Sequence, residues 1–118
     1  MALFSKKQRL ESSGHAGDDK LLSIISSRSD LSAPRHWVHY LYFPGEAPAR
    51  AAAEDAQAAG WNLQRVDEAA TQDGSWVVIA ERHEVVVDPT SVREARETFE
   101  SIASRYPGGD YDGWEASV

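Results

Sequence analysis

The sequence predicts one α+β domain, built from a four-stranded antiparallel sheet with two helices on one face and a short helix before it. The chain has 118 residues, 42% of them hydrophobic, which is enough for a single core. From residue 36 onward, segments of strand composition and segments of helical periodicity follow in the order β-α-β-β-α-β. Glycine and proline residues separate these segments.

The first part of the chain is predicted to be a flexible leader followed by a short helix. Residues 1–17 are polar, so we expect a leader there and a folded domain over residues 18–118. Asp18 or Asp19 is expected to cap the helix, because acidic side chains favour a helix N-terminus. Pro34 marks the end of this region, since proline disfavours helix in the residue before it.

The first strand and the helix after it have clear local signals. Residues 36–43 are dense in aromatic and branched side chains, which favour strands, and Pro44-Gly45 ends the run. Residues 46–59 are rich in alanine and predict a helix whose small side chains lie on one face. Gly60 suits the position just after the helix, where a left-handed backbone is common.

Two strands, a longer helix and a final strand complete the prediction. Residues 61–66 and 75–87 have strand patterns, with a turn at 71–74 between them. Asp88 and Pro89 are expected to open the helix as N-cap and first-turn residue. Residues 111–118 predict a last strand, interrupted at Gly113. The apolar stripe of the longer helix is expected to comprise Val92, Ala95, Phe99, Ile102 or Ala103, and Tyr106.

This order of elements is that of the ferredoxin-like, or split β-α-β, arrangement. Because crossovers between strands of one sheet are right-handed, both helices are expected on the same face. The other face of the sheet is then open to a partner.

The charge of the chain is uneven, and the predicted sheet and helices are acidic. Residues 36–118 contain six arginines, no lysine and fifteen acidic residues, a net charge of −9. Residues 1–35 carry a net charge of +2. An acidic surface repels nucleic acid and attracts basic partners, although charge of this size also serves solubility alone.

We expect a cytoplasmic protein that does not interact with membranes. No apolar run approaches the ~20 residues that span a bilayer. The first residues also lack the apolar stretch of a signal peptide.

We expect no metal and no other cofactor. The chain contains no cysteine, which excludes disulfides, cysteine zinc sites and Fe–S clusters. His36 and His39 are three residues apart, so a strand directs them to opposite faces. The neighbours His83 and Glu84 are likewise directed apart. No His-Glu-x-x-His pattern is present.

We also expect no catalytic residues, and therefore no enzyme. The sequence has no Gly-x-Ser-x-Gly motif, and Gly108-Gly109 follows a helix as a stop signal and is no phosphate loop. No pair of carboxylates lies in an apolar segment that would raise a pKa.

Aromatic residues on the predicted strands leave two further hypotheses open. Their rings could stack on RNA bases, as in RNA-recognition domains, but the acidic charge opposes this and no matching basic-aromatic motif is present. The rings could instead form part of the core, bind a small ligand, or let the open face associate with a second copy of the chain. The residues concerned are Trp37, Tyr40, Tyr42, Trp76 and Trp114.

The segment Tyr111-Asp112-Gly113-Trp114 resembles the signature of the ribonuclease E inhibitor family, the regulators of ribonuclease activity B. Further similarities are Ser29-Asp30 before the first strand, the run 39–43 in that strand, and Ala59-Gly60-Trp61 after the first long helix. The resemblance covers residues 18–118. It implies a ferredoxin-like domain that binds an endoribonuclease and lowers its activity on RNA. The motif itself is expected to encode packing more than partner contact.

The sequence therefore predicts a non-catalytic regulatory protein whose partner is an endoribonuclease with a basic surface, with no direct binding of nucleic acid. A self-associating or ligand-binding domain of the same fold is the alternative. Oligomeric state is left open. The residues expected to contact the partner are acidic: Glu94, Glu97, Glu100, Asp110, Asp112 and Glu115.

Overall fold

The structure, a computed structural model, describes residues 11–71 and 73–118. Helix α1 precedes a sheet whose strands are connected partly through two further helices. The elements are α1 (Ala16–Arg28), β1 (Arg35–Phe43), α2 (Glu46–Ala58), β2 (Asn62–Glu68), β3 (Trp76–Val85), α3 (Pro89–Ser104) and β4 (Asp110–Ala116).

The four strands form one sheet in the order β2-β3-β1-β4, and every neighbouring pair is antiparallel. Strand β1 is central, between β3 and β4, while β2 and β4 are the edges. The predicted α+β class and the four-stranded antiparallel sheet are confirmed. The arrangement is consistent with the predicted ferredoxin-like fold.

Helices α2 and α3 both contribute to one hydrophobic core against the sheet. The alanines of α2 allow close packing, and the side chains of Val92 and Phe99 in α3 are almost fully buried. Trp37, Leu41 and Phe43 face this core from β1. A smaller cluster of Val38, Ala69, Val77 and Ile79 contains no helix residue. We call the side of the sheet that carries this smaller cluster the helix-free face.

Local signals account well for α2 and α3. Gly60 has φ 93°, the left-handed conformation expected after α2. At α3, the backbone N–H of Ser91 donates to the Asp88 side chain, and the backbone N–H of Asp88 donates to the Ser91 hydroxyl, both at 2.9 Å. Asp88 is thus the N-cap, as predicted, in a reciprocal capping box.

The start of α1 differs from the prediction. The helix begins at Ala16, and its N-cap is His15, whose Nδ1 accepts a hydrogen bond from the backbone N–H of Asp18. The expected cap by Asp18 or Asp19 was wrong because both carboxylates have other partners. Asp18 is buried against α3, and Asp19 accepts from the backbone N–H of Ser13 at 2.8 Å.

The expected leader lies largely outside the described residues, which begin at residue 11. The flexible leader therefore stays a prediction for residues 1–10. Further along, Arg93 of α3 donates to the backbone carbonyls of Ser12 and Ser13.

Two bulges modify the central strand pairs. Between β1 and β3, His83 and Glu84 lie opposite the single residue His36, and Glu84 has φ 55°, which is uncommon outside glycine. Between β1 and β4, Asp112 is the extra residue, and the following Gly113 has φ 103°. Gly113 therefore occupies a position that disfavours any residue with a side chain.

Among the described residues, no helix is long and apolar enough to cross a membrane.

Candidate functional site

The acidic residues predicted on α3 form an exposed row. Glu94, Glu97 and Glu100 are spaced by three residues on the side of the helix that faces away from the core, and all three are exposed. Glu100 accepts from Arg96 at 2.9 Å. Glu94 and Glu97 form no ion pair with any described residue. This row therefore presents at least two uncompensated negative charges to solvent.

The acidic residues predicted in the last strand are also exposed, but they do not share one face with those of α3. Asp110 pairs with Tyr42 and Glu115 with Val38, so both side chains lie toward the helix-free face. Glu115 accepts from the Tyr40 hydroxyl at 2.6 Å. This hydrogen bond, with burial as the next cause, raises the pKa of Tyr40 to about 12.

The two acidic groups meet at the β4 edge of the domain. Glu100 and Asp110 border the same shallow groove, together with Tyr111. Asp112 is exposed at the bulge in the same edge strand. A partner that contacts all six residues would have to wrap around this edge.

The signature motif faces inward, as its sequence predicted. Trp114 is buried, and its indole meets Trp37 edge-on at a ring separation of 6.0 Å. The Tyr111 ring stacks on Phe99 at 5.5 Å. Gly113 provides the bulge between them. Of the four motif residues, Asp112 is the one whose side chain is left at the surface.

Trp114 also completes a buried polar network between α1, α3 and β4. Its Nε1 donates to Asp18 Oδ1 at 2.9 Å, and Arg96 donates to both oxygens of the same carboxylate at 2.6 and 3.0 Å. The Asp18 hydrogen bond is the main cause that raises the pKa of Arg96. The Arg96 guanidinium lies over the Tyr111 ring, 4.9 Å from its centroid. The network joins segments 78 and 96 residues apart in the chain.

His39 lies at the centre of the aromatic core. Its side chain has no exposed surface, its ring stacks on Phe99 at 4.4 Å, and Nδ1 is 2.7 Å from the Tyr111 hydroxyl. Among the described residues, Nε2 has no hydrogen-bond partner. Burial, and then the charges of Arg82 and Arg96, hold the pKa of His39 well below its usual value. His39 is therefore a neutral structural residue.

The aromatic residues of the strands are divided between the two faces. Trp37, Trp76 and Trp114 pack with the main core, while Tyr40 and Tyr42 pack with the smaller cluster. The helix-free face thus carries two tyrosines, and Trp37 and Trp114 have no exposed ring to offer a partner. Three of the five aromatic residues considered for stacking on RNA bases therefore pack with the core and do not lie on the helix-free face.

A cluster that the sequence interpretation missed lies on the helix-free face. His36 of β1 is beside Glu81 and His83 of β3, and their possible ligand atoms all lie within 4.8 Å of one another. Along each strand the spacing of the histidines directs them to opposite faces, and it carries no information on neighbours across strands. The pairing of β1 with β3 and its register, which align the two histidines, are visible only in the structure.

The serines of α3 that could be considered as nucleophiles have structural partners. Ser91 belongs to the capping box, and the Ser104 hydroxyl donates to the carbonyl of Ser101 at 2.8 Å. These contacts are those of helix caps and helix surfaces.

Comparison with known proteins identifies one family. The model of a family described as regulator of ribonuclease activity B matches residues 18–116 of the chain. No curated protein matches the chain.

Proposed function

The chain belongs to the regulator of ribonuclease activity B family, and from that membership we propose that it is a non-catalytic protein that binds and inhibits an endoribonuclease of the ribonuclease E type. The observation that carries the proposal is the match over residues 18–116, which includes every helix and strand of the domain except two residues at the start of α1. Residues 18–118 would be the functional unit, and its effect would be slower RNA decay.

The electrostatics of the domain support a basic partner. Residues 36–118 carry a net charge of −9, and Glu94 and Glu97 are exposed without an ion pair among the described residues. A surface that binds RNA phosphates is basic, so these carboxylates could compete with RNA for it. Opposite charges would also speed association and make it sensitive to salt.

The direct test is the effect of the purified protein on cleavage of a defined RNA by purified ribonuclease E. We expect the initial cleavage rate to fall as the protein is added in excess. The inhibition should weaken as salt is raised from 50 to 200 mM, because the Debye length falls from about 14 Å to about 7 Å over this range. An unchanged cleavage rate at low salt would contradict the proposed function.

A pair of charge-matched variants tests the proposed surface separately. Glu94→Gln/Glu97→Gln removes two charges from the α3 row, and Glu54→Gln/Glu68→Gln removes two exposed charges from α2 and β2. The first variant should raise the concentration for half-inhibition by roughly fivefold or more, since each interfacial charge pair contributes about 0.5–1 kcal/mol. The second should leave it near the wild-type value.

Equal loss of inhibition in the two variants would mean that net charge matters and the α3 row does not. If the wild-type protein inhibits and Glu94→Gln/Glu97→Gln inhibits equally well, the contact with the ribonuclease lies on another surface of the domain. In that case Asp110, Asp112 and Glu115 on β4 are the next residues to neutralise.

A second candidate function is self-association or ligand binding through the helix-free face. It is favoured by Tyr40 and Tyr42, which are only half-buried over the apolar cluster on that face. Sedimentation equilibrium at micromolar concentration distinguishes this candidate, because a strict monomer would exclude self-association. A melting-temperature screen against metabolites tests the ligand-binding form.

A further inference from the structure

We propose that His36, Glu81 and His83 form a binding site for one divalent transition-metal ion of the zinc class on the helix-free face of the sheet. The site is separate from the acidic row on α3 and does not involve the ribonuclease partner. Two of its residues are in β3 and the third is in the adjacent strand β1.

The strand register brings the three side chains to one place. Glu81 and His83 are two residues apart in β3, so they lie on the same face of the sheet. Trp37 pairs with Arg82 and Val38 with Glu81, which leaves His36 beside His83 and diagonal to Glu81. The β-bulge lies at the site itself, because regular pairing ends at Trp37 and Arg82 and His36 then lies opposite His83 and Glu84.

The distances suit a small cation. His36 Nε2 is 2.7 Å from Glu81 Oε1, and His83 Nε2 is 3.4 Å from Glu81 Oε2. The two imidazole rings are parallel within 2°, with centroids 4.3 Å apart. Zn–N and Zn–O bonds of about 2.0–2.1 Å place tetrahedral ligand atoms roughly 3.3 Å from one another. The ligand atoms are therefore close to that spacing, and the two rings would rotate out of their stacked arrangement so that both nitrogen lone pairs point at one ion.

The donor set selects the class of metal. Two imidazoles and one carboxylate suit zinc and its neighbours nickel, cobalt and copper, whereas magnesium and calcium prefer oxygen ligands throughout. Gln64 donates from Nε2 to Glu81 Oε1 at 2.9 Å and so orients the carboxylate from outside the proposed coordination shell. With three protein ligands, at least one coordination position is left for water or for a donor from a partner.

The two histidine rings are close enough to share one cation, since their centroids are 4.3 Å apart. In the 2.7 Å contact with Glu81 the Nε2 of His36 donates its proton, so metal binding would place the ring proton on Nδ1 and leave the Nε2 lone pair for the ion. The same ion would pair with the Glu81 carboxylate. The site is accessible, since the side chains of His36 and His83 are 36% and 60% exposed.

Titration of untagged, metal-free full-length protein with ZnCl₂ tests the site. Calorimetry should give one equivalent bound with a dissociation constant in the micromolar range or below. Long-range ¹H–¹⁵N NMR should then show large shifts of Nε2 in His36 and His83, while His15 and His39 stay in place. An equal concentration of MgCl₂ should move none of these signals.

Matched variants separate the site from general metal affinity. Glu81→Gln and His83→Gln should each weaken zinc binding at least about tenfold, because loss of even an outer-shell partner typically costs 10–100-fold. Glu84→Gln makes the same chemical change at the neighbouring exposed acid and should leave the affinity unchanged. Far-UV circular dichroism verifies that each variant is folded. The absence of saturable binding by wild-type protein, or equal affinity in wild-type and His83→Gln protein, would overturn the proposal.

Discussion

Replacing Asp18 with asparagine tests whether the buried network under the signature motif stabilises the fold. Asp18 is 2% exposed and accepts hydrogen bonds from Arg96 and from the Trp114 indole. Asparagine has nearly the same shape but no charge, and its NH₂ group would point toward one of these donors.

The expected loss of stability follows from the partners left behind. Breaking a buried ion pair by removing one member costs about 3–5 kcal/mol. The Arg96 side chain is 16% exposed and keeps its pair with Glu100, so the lower end applies, about 3 kcal/mol. This is a large share of the 5–15 kcal/mol typical of a domain, and it would lower the melting temperature by roughly 10 °C.

Urea unfolding followed by tryptophan fluorescence measures the change, with Asp110→Asn as an exposed control expected to stay within about 0.5 kcal/mol. Trp114→Phe removes the indole donor from the same carboxylate and should cost about 2–3 kcal/mol. Because Arg96 and Trp114 donate to the same Asp18 side chain, the two substitutions are coupled, and the double variant should lose at least ~1 kcal/mol less than the sum of the two. A loss below 1 kcal/mol for Asp18→Asn, or strict additivity, would refute this account of the motif.

Two other predictions concern the core. Burial holds the pKa of His39 well below its usual value of 6.5. Below about pH 6.5 the unfolded chain therefore binds a proton that the folded chain excludes, so the free energy of unfolding decreases as the pH is lowered. Between pH 7 and pH 5 this loss of stability should be visible in urea titrations of the wild-type protein and absent from those of His39→Phe; an identical pH slope in both proteins would contradict it. A Cβ at Gly109 would clash with the Ala103 carbonyl oxygen and lie 2.9 Å from Phe43, whereas a Cβ at Gly45 meets nothing within 4 Å. Gly109→Ala should therefore cost about 2–3 kcal/mol in thermal or urea unfolding and Gly45→Ala less than about 1 kcal/mol, and similar costs would show that the Gly109 contact relaxes freely.

Features encoded by neighbouring residues were predictable from the sequence. The Asp88 N-cap, the alanine face of α2 and the left-handed Gly60 all follow from a few adjacent positions, and the structure contains each of them. The apolar stripe of α3 was likewise predicted, because helical periodicity determines which side chains share a face, except that Tyr106 lies beyond the end of the helix at Ser104.

Features that depend on contacts between distant segments were not predictable. His15 caps α1 because the two aspartates that suit a cap have other partners, and one of those partners, Trp114, is 96 residues away. The six acidic residues share a property in the sequence, but α3 and β4 direct them toward different sides of the domain. His36 and His83 are separated by an intervening helix and strand, and only the β1–β3 register makes them neighbours.

The central position of β1 has a consequence for how the domain is made in the cell. Translation proceeds from the N-terminus, so α1 and β1 leave the ribosome long before β4, the last strand to pair with β1. Until residue 114 has emerged, a nascent chain exposes an unpaired strand edge and an Asp18 carboxylate that lacks its indole donor. Unpaired edges bind other chains readily, so a ribosome that stalls before this point would hold an aggregation-prone intermediate. Completion of this domain is therefore a late event in its own synthesis.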